Sequence, residues 1–310
     1  MFDVCVIGHV VRDINTIEGC EQEPSPGGTA YYSAMVYASL GLRTAVVTKV
    51  ARGDEDDLLG ELREAGVEIF NLPTERSTVF RNVYNPENPD MRRQQVDVRT
   101  GTIRAEEMPK VAASVYHLGP LIRGDIDLGI IRRLVGNETT IALDVQGLTR
   151  DIVAGEVVPT RRPGSGDFLH DVDILQADDS EILTFTGASS VAMGAAQARA
   201  DGAEVVLVTR ASHGSLVCNA LGMLNVEPVP PRRRLDATGC GDTYLAAFIS
   251  RWVRDETLSD CAHFASVAAG LNIEHLGPYR GSEEDVFDRW AEFNRSAEGT
   301  AFPVPRQSIL

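Results

Sequence analysis

The feature that most constrains this chain is a repeated beat of short apolar runs and amphipathic stretches. Val4–Gly8 is an apolar run ending in glycine, and Thr29–Leu40 carries apolar or small residues at helical spacing and stops at Gly41. Thr44–Val50 is the next apolar run, after which Asp54 reads as a helix N-cap before Leu58, Leu59, Leu62 and Ala65. The beat returns at Val111–Leu118, with a helix near Asp125–Val135, and at Thr140–Val145. It continues through Val172–Gln176, with a helix from Asp178, and through Glu204–Thr209. Three helices then close the chain over Gly241–Arg254, Leu258–His275 and Ser282–Asn294. Strands alternating with helices predict an α/β fold with a doubly wound, largely parallel sheet. A length of 310 residues suits a single domain over 1–310.

Two segments break the beat and predict a small β lid made of inserted hairpins. The first, about 14–26, is polar and contains Pro24 and Pro26. The second, about 78–102, alternates as Val79-Phe80-Arg81-Asn82-Val83-Tyr84 before the turn Asn85-Pro86-Glu87-Asn88-Pro89. Inserted hairpins of this kind cover a ligand site or form a dimer edge. The tail Ala297–Leu310, with two prolines and little periodicity, reads as loosely wrapped.

Composition removes several function classes. The chain has 45 acidic residues against 29 Lys plus Arg, a net charge of −16, which is the wrong sign for sequence-independent nucleic-acid binding. The five cysteines form no CxxC pair, so neither a disulfide framework nor a structural zinc is expected. The start, MFDVCVIGHVVRD, has no basic region or cleavage site, and no apolar run approaches the ~18 residues of a membrane span. A cytoplasmic setting, with neither nucleic-acid nor membrane partners, is the expectation.

The chemistry concentrates in Asp236-Ala-Thr-Gly-Cys-Gly-Asp242, which opens an apolar helix. Small residues let the backbone turn tightly and bring N–H groups to one point, where the helix N-terminus adds partial positive charge. Such a point suits a transferring phosphoryl group. Asp242, in the first helical turn, can take the proton of an attacking hydroxyl. The plainer reading is a glycine-containing loop with a capping aspartate.

This heptapeptide resembles the C-terminal signature of the PfkB/ribokinase family of carbohydrate kinases. The family's N-terminal pattern of two glycines before a small-residue helix is matched by Gly27-Gly28-Thr29-Ala30-Tyr31-Tyr32-Ser33-Ala34, about 200 residues upstream with the hairpins between. The resemblance implies a ribokinase-like fold and assigns roles. Asp242 is the catalytic base, and the amides of Gly239, Cys240 and Gly241 form the anion hole. Asp13 holds substrate hydroxyls, and Gly27 and Gly28 form the hinge between lid and body and also approach the substrate. Thr209, Ala211, Gly214, Thr238 and Asn272 fall at the nucleotide. Asp178 and Glu181 replace the family's Asn-x-x-Glu element, which organises Mg²⁺ through water.

The sequence departs from the family at Tyr32, where asparagine is usual, and at Ala211, Ala237 and Cys240, which replace Gly, Thr and Ala. Gly8-His-Val-Val-Arg-Asp-Ile14, Asp144-Val-Gln-Gly147 with Arg150, and Ala177-Asp-Asp-Ser-Glu181 look like the branch containing archaeal-type myo-inositol kinases. Arg12, Asp13, Tyr32 and Gln146 would then surround a cyclitol.

The expectation is ATP- and Mg²⁺-dependent phosphorylation of a sugar or cyclitol hydroxyl, with myo-inositol favoured. The partner is a small polyol, and the lid strands either pair in a homodimer or cap a monomer. A hydroxymethylpyrimidine or vitamin kinase is the alternative, because Thr238-Gly239-Cys240 echoes that branch. A non-catalytic sugar-binding relative is another. A nicotinamide-dependent dehydrogenase is disfavoured, since Val4–Asp13 supplies only Gly8 of the G-x-G-x-x-G pattern. His9, His213 and His275 read as ordinary polar or packing residues, and Arg232–Arg234 as a solvated face.

Overall fold

A computed structural model describes residues 1–17, 19–85, 88–136, 139–161 and 167–298. The tail beyond 298, and Pro86 and Glu87 of the expected turn, lie outside the described residues. The chain runs β1 (Phe2–Ile7), β2 (Val11–Ile17), β3 (Cys20–Glu21), β4 (Ser25–Gly27), α1 (Thr29–Ser39), β5 (Thr44–Thr48), α2 (Glu55–Glu64) and β6 (Glu68–Asn71). It continues through β7 (Val79–Asn85), β8 (Asn88–Val98), β9 (Ala113–Leu118), α3 (Gly129–Leu134), β10 (Thr140–Asp144), β11 (Arg150–Val153), β12 (Glu156–Pro159) and β13 (Ile174–Asp178). Helices α4 (Asp179–Thr186) and α5 (Val191–Ala200) lead to β14 (Val205–Thr209), β15 (Ser215–Asn219) and β16 (Gly222–Val226). The chain closes with α6 (Cys240–Trp252), α7 (Leu258–Asn272) and α8 (Glu283–Glu298).

The main sheet has nine strands in the order β16-β15-β14-β13-β10-β9-β1-β5-β6. Pairing is parallel from β14 to β6, and β15 and β16 add antiparallel strands at one edge. Period-two alternation splits the core into two layers. Val4, Val6 and Val46 pack with Tyr37, Phe248 and Ala265 on one face, while Cys5, Ile7 and Val47 pack with Ile130, Ile182 and Ala198 on the other. Helix α1 is apolar nearly all round because it is buried against both β1 and α6. The chain leaves β1 toward β5 on one side and later returns to β9 on the other. In an open α/β sheet, ligands bind at such a reversal, beyond the carboxyl ends of the strands. None of the described helices is long and apolar enough to cross a membrane.

The second sheet is the lid, ordered β11-β12-β8-β7-β2-β3 with β4 also on β2. It leaves the body just past the carboxyl end of β1. Sequence confines the lid to about 14–26 and 78–102; the structure extends it back to Val11 and adds the hairpin β11–β12. Val11 and Phe80 of the lid pack with Leu121 and Ile122 of the body.

Three local expectations change. Asp54 precedes α2 but makes no capping bond. Its carboxylate instead accepts from Arg12 Nη2 at 3.0 Å and Ser77 Oγ at 2.6 Å, tying β2 to the body. The helix expected near Asp125–Val135 shrinks to Gly129–Leu134, because the Asp125 carboxylate accepts the amides of Leu121 and Ile122 and holds an irregular loop. Helix α5 adds an element that the apolar beat does not signal.

Candidate active site

The site forms where β1, β10 and β13 end beneath the lid. Strand β2 runs parallel to β7, with Asp13 opposite Phe80 and Asn15 opposite Asn82. Alternation therefore places Asp13, Asn15 and Asn82 on one lid face, and Gln94 of β8, opposite Asn82, joins them. They form a network: Asn82 Nδ2 donates to Asp13 Oδ1 at 3.3 Å and to Asn15 Oδ1 at 3.0 Å, and Gln94 Nε2 donates to Asn82 Oδ1 at 2.8 Å.

The glycine pair makes room for this arrangement. A Cβ on Gly27 would lie 2.0 Å from Asp13 Oδ2, so any side chain there would displace the carboxylate. Gly28, the N-cap of α1, has a φ of 88° and would place a Cβ 2.6 Å from the His9 carbonyl oxygen.

Tyr32, one turn into α1, connects the lid residues to the heptapeptide. It is buried, and a Cβ on Gly239 would lie 2.2 Å from its Cδ1, so the ring packs directly on the loop. Burial and the nearby charges of Asp13, Asp236 and Asp242 push the Tyr32 phenol well above its ordinary range. The phenol therefore feels the charge of both the lid acid and the helix acid.

The loop is held from the body side. Gly239 takes the left-handed conformation, with φ 75°, as N-cap of α6. The Thr238 amide donates to Asp236 Oδ1 at 2.8 Å, and Gln176 Nε2 donates to the Gly241 carbonyl at 2.9 Å. Asp242 is half-buried in the first turn, where the helix offers its own amides no carbonyl acceptor.

A second acidic group borders this turn. Asp144, at the end of β10, is buried, and its Oδ1 accepts the Gln146 amide at 2.8 Å. Burial, then the charges of Glu181 and Asp242, hold its carboxyl well above the usual range. Glu181 is buried beside Arg150 of the lid hairpin, 2.8 Å from Nη2. Burial raises its carboxyl and Arg150 opposes that rise. Asp178 and Glu181 form a capping box for α4: Asp178 Oδ1 accepts the Glu181 amide at 2.7 Å, and Glu181 Oε2 accepts the Asp178 amide at 2.9 Å. Among the described residues no three His, Cys, Asp or Glu side chains converge to ligate an ion directly. The Asp144 carboxyl feels the charges of Glu181 and Asp242, and carboxylate oxygens are the ligands that Mg²⁺ prefers. The residues thus fit an ion held through water.

Several sequence assignments change. Arg12 lies on the opposite face of β2 from Asp13 and donates to Asp54 and Asp57, at 3.0 and 3.2 Å, so it does not share the Asp13 face as a common role around a cyclitol would need. The Cys240 amide donates to the Ala237 carbonyl at 3.2 Å, so it is engaged within the loop and is not offered to an anion as the family resemblance implies. Asn272 is fully buried behind the loop and bonds the Thr238 carbonyl at 3.0 Å and Thr243 Oγ1 at 3.1 Å. It braces the loop and has no surface for a nucleotide. Thr238 Oγ1 meets Tyr84 of the lid at 3.3 Å.

Thr209, Ala211 and Gly214 do lie together, at the end of β14 beside Asp178. Ala211 has a φ of 47°, a left-handed conformation that explains why glycine suits this position. Arg233 Nε donates to the Glu274 carbonyl, and Arg232 pairs with Glu292. Burial pushes the Cys240 thiol up to about 12, so it holds its proton at neutral pH, against a thiolate role in the Thr-Gly-Cys alternative. Asn15, Asn82, Tyr84, Gln94, Asp144 and Gln176 complete the site beyond the residues assigned from sequence.

Residues 155–285 match the pfkB family carbohydrate kinase model. The chain is 26% identical over 291 residues to the cytidine kinase of Thermococcus kodakarensis, covering 90% of this chain and 99% of that protein. It is 22% identical over 295 residues to the inositol 3-kinase of Arabidopsis thaliana, covering 88% and 74% respectively. A pyrophosphate-dependent kinase in the ribokinase family, solved with a pyrophosphate analog and myo-inositol, superposes with a TM-score of 0.82 at 25% identity, covering 92% of this chain and 99% of the other. Residues 155–285 carry a pfkB-family carbohydrate kinase domain, the whole chain has a ribokinase-like α/β fold, and the protein is a carbohydrate or cyclitol kinase.

Proposed function

We propose that this kinase transfers the terminal phosphoryl group of ATP, with Mg²⁺, to one hydroxyl of a polyol, with myo-inositol the favoured acceptor. The observation that carries this reading is the position of Tyr32, whose phenol feels both Asp13 and Asp242 while its ring packs on Gly239. A small acceptor at that ring has a hydroxyl-binding acid on one side and a proton acceptor on the other. The amide and carboxylate groups of Asp13, Asn15, Asn82 and Gln94 offer both donors and acceptors, which suits a ring of hydroxyls.

In this reading Asp242 takes the hydroxyl proton as the acceptor oxygen attacks. The amides of Gly239 and Gly241, with the dipole of α6, stabilise charge on the transferring group. Asp178, Glu181 and Asp144 would hold Mg²⁺ through water, which neutralises donor phosphate charge when bound. Asp13 and Asn82 orient the acceptor, and the lid excludes water.

Pyrophosphate as donor is a second reading, supported by the resemblance to pyrophosphate-dependent kinases. One screen tests both: ATP or pyrophosphate, with Mg²⁺, against myo-inositol, ribose, fructose, cytidine and hydroxymethylpyrimidine, following phosphorylated product by ³¹P NMR. We expect product with myo-inositol. Transfer to cytidine alone would overturn the cyclitol reading. Asp242→Asn should lower kcat by about 10²- to 10⁴-fold, the usual range for a general base, while donor binding persists. Near-normal turnover in that variant would remove Asp242 from its role.

A further inference from the structure

We infer that Tyr84 is a positioning residue whose phenol latches the lid to the anion-hole loop. Lid closure over the acceptor and final ordering of the phosphoryl-binding amides then become one event. The inference deepens the kinase reading above and rests on it.

Tyr84 lies on β7, and its Oη is 3.3 Å from Thr238 Oγ1 across 154 residues of chain. Asn82, two residues earlier on the same strand face, donates to Asp13. One edge of one strand therefore carries both the acceptor-side contact and the loop contact, roughly 7 Å apart along the strand.

Thr238 is suited to be the fixed end of this latch. Its amide is held by Asp236, its carbonyl by Asn272, and the next residue, Gly239, is pinned against Tyr32. Its hydroxyl is the group that reaches the lid. An acceptor bound by Asp13 and Asn82 fixes β7, and Tyr84 carries that position to the loop. Before an acceptor binds, a neutral hydroxyl–hydroxyl contact bridges these two residues, weak enough for the lid to lift. The donor is thereby shielded from water when an acceptor is present to receive the phosphoryl group.

The test compares wild type, Tyr84→Phe, Thr238→Val and the double variant, with melting curves to establish that each is folded. Hydrogen exchange over Val79–Asn85 is measured without substrates. Each single variant should speed exchange by about threefold to tenfold, the range of one neutral hydrogen bond, and the double variant should be no faster than either. With donor and acceptor, Tyr84→Phe should lower kcat and raise the fraction of donor lost to water, with a smaller change in acceptor KM. Unchanged exchange in Tyr84→Phe, or additive effects in the double variant, would overturn the latch. If the exchange cycle is non-additive and the wild type phosphorylates no polyol, the latch stands and the proposed function falls. If transfer occurs and the cycle is additive, the function stands and the latch falls.

Discussion

Asp13 reaches the cleft because the residue diagonal to it across the lid pairing is Gly27. Tyr32 can lie on the loop that opens α6 because the residue beneath it is Gly239. Both glycines are visible in the sequence as members of motifs, and Asp13, Tyr32 and Asp242 are legible through the same motifs. Asn82, Tyr84 and Gln94 are not, for a physical reason. The opposite face of these lid strands is also polar, carrying the Arg81–Asp97 and Arg81–Glu21 ion pairs, so alternation does not reveal which face looks inward. Asn272 shows the converse, since a buried bracing amide and a ligand-binding amide have the same letter. His117 carries a prediction at this scale. It is fully buried on β9, with Nδ1 3.2 Å from Tyr37 Oη, and burial pushes its imidazole down to about 3. The unfolded chain binds that proton near pH 6.5, so the stabilising contribution is full above 6.5 and drains away as pH falls toward about 3. His9, also buried, shifts in the same direction. Acidification from pH 7 to 5 should cost about 2 kcal/mol through His117. The melting temperature of His117→Gln should fall less over that interval than the wild type's; equal slopes would refute the assignment.

Elements were legible where apolar contrast was strong and illegible where it was weak. Strands β1, β5 and β14 are buried apolar runs, and each reads directly. Helix α5, VAMGAAQARA, packs with alanine and glycine and offers almost no contrast between its faces. The hairpin β11–β12 carries no strand signal in the sequence analysis, since Pro159 and Gly155 punctuate it. Helix α4 was legible at its start, but its cap serves two purposes that sequence does not separate. Asp178 accepts from the Glu181 amide and from Ser180 Oγ, so it is a structural cap whether or not its charge serves a cation. Two substitutions separate these purposes. Asp178→Ala removes both the cap and the charge, and should cost about 1 kcal/mol of stability. Asp178→Asn keeps a capping side chain and removes the charge. Its melting temperature should stay near the wild type's while the Mg²⁺ concentration for half-maximal rate rises several-fold. An unchanged Mg²⁺ titration in Asp178→Asn would leave the residue a helix cap alone.

At the scale of the whole molecule the charge is opposed to the chemistry. A net charge of −16 repels the polyanionic donor that the site must capture, and only two of the 29 basic residues are lysine. Many arginines are already neutralised by carboxylates: Arg12 by Asp54 and Asp57, Arg150 by Glu181, Arg251 by Glu256 and Glu283, Arg289 by Glu274. In the proposed reading, attraction for phosphate is local, from the first turn of α6 and from Mg²⁺, and it acts at short range. Repulsion from the surface acts at long range and is screened by salt. The Debye length falls from about 30 Å at 0.01 M to about 8 Å at 0.15 M ionic strength, so added salt removes the repulsion well before it weakens contacts inside the cleft. The donor KM should accordingly fall as sodium chloride rises from low to physiological levels at constant Mg²⁺, through a faster association rate. A protein that steers its donor with a basic surface shows the opposite slope. A donor KM that rises steadily with salt from the lowest concentration would mean that the arginines near the cleft, and not the backbone amides, govern capture.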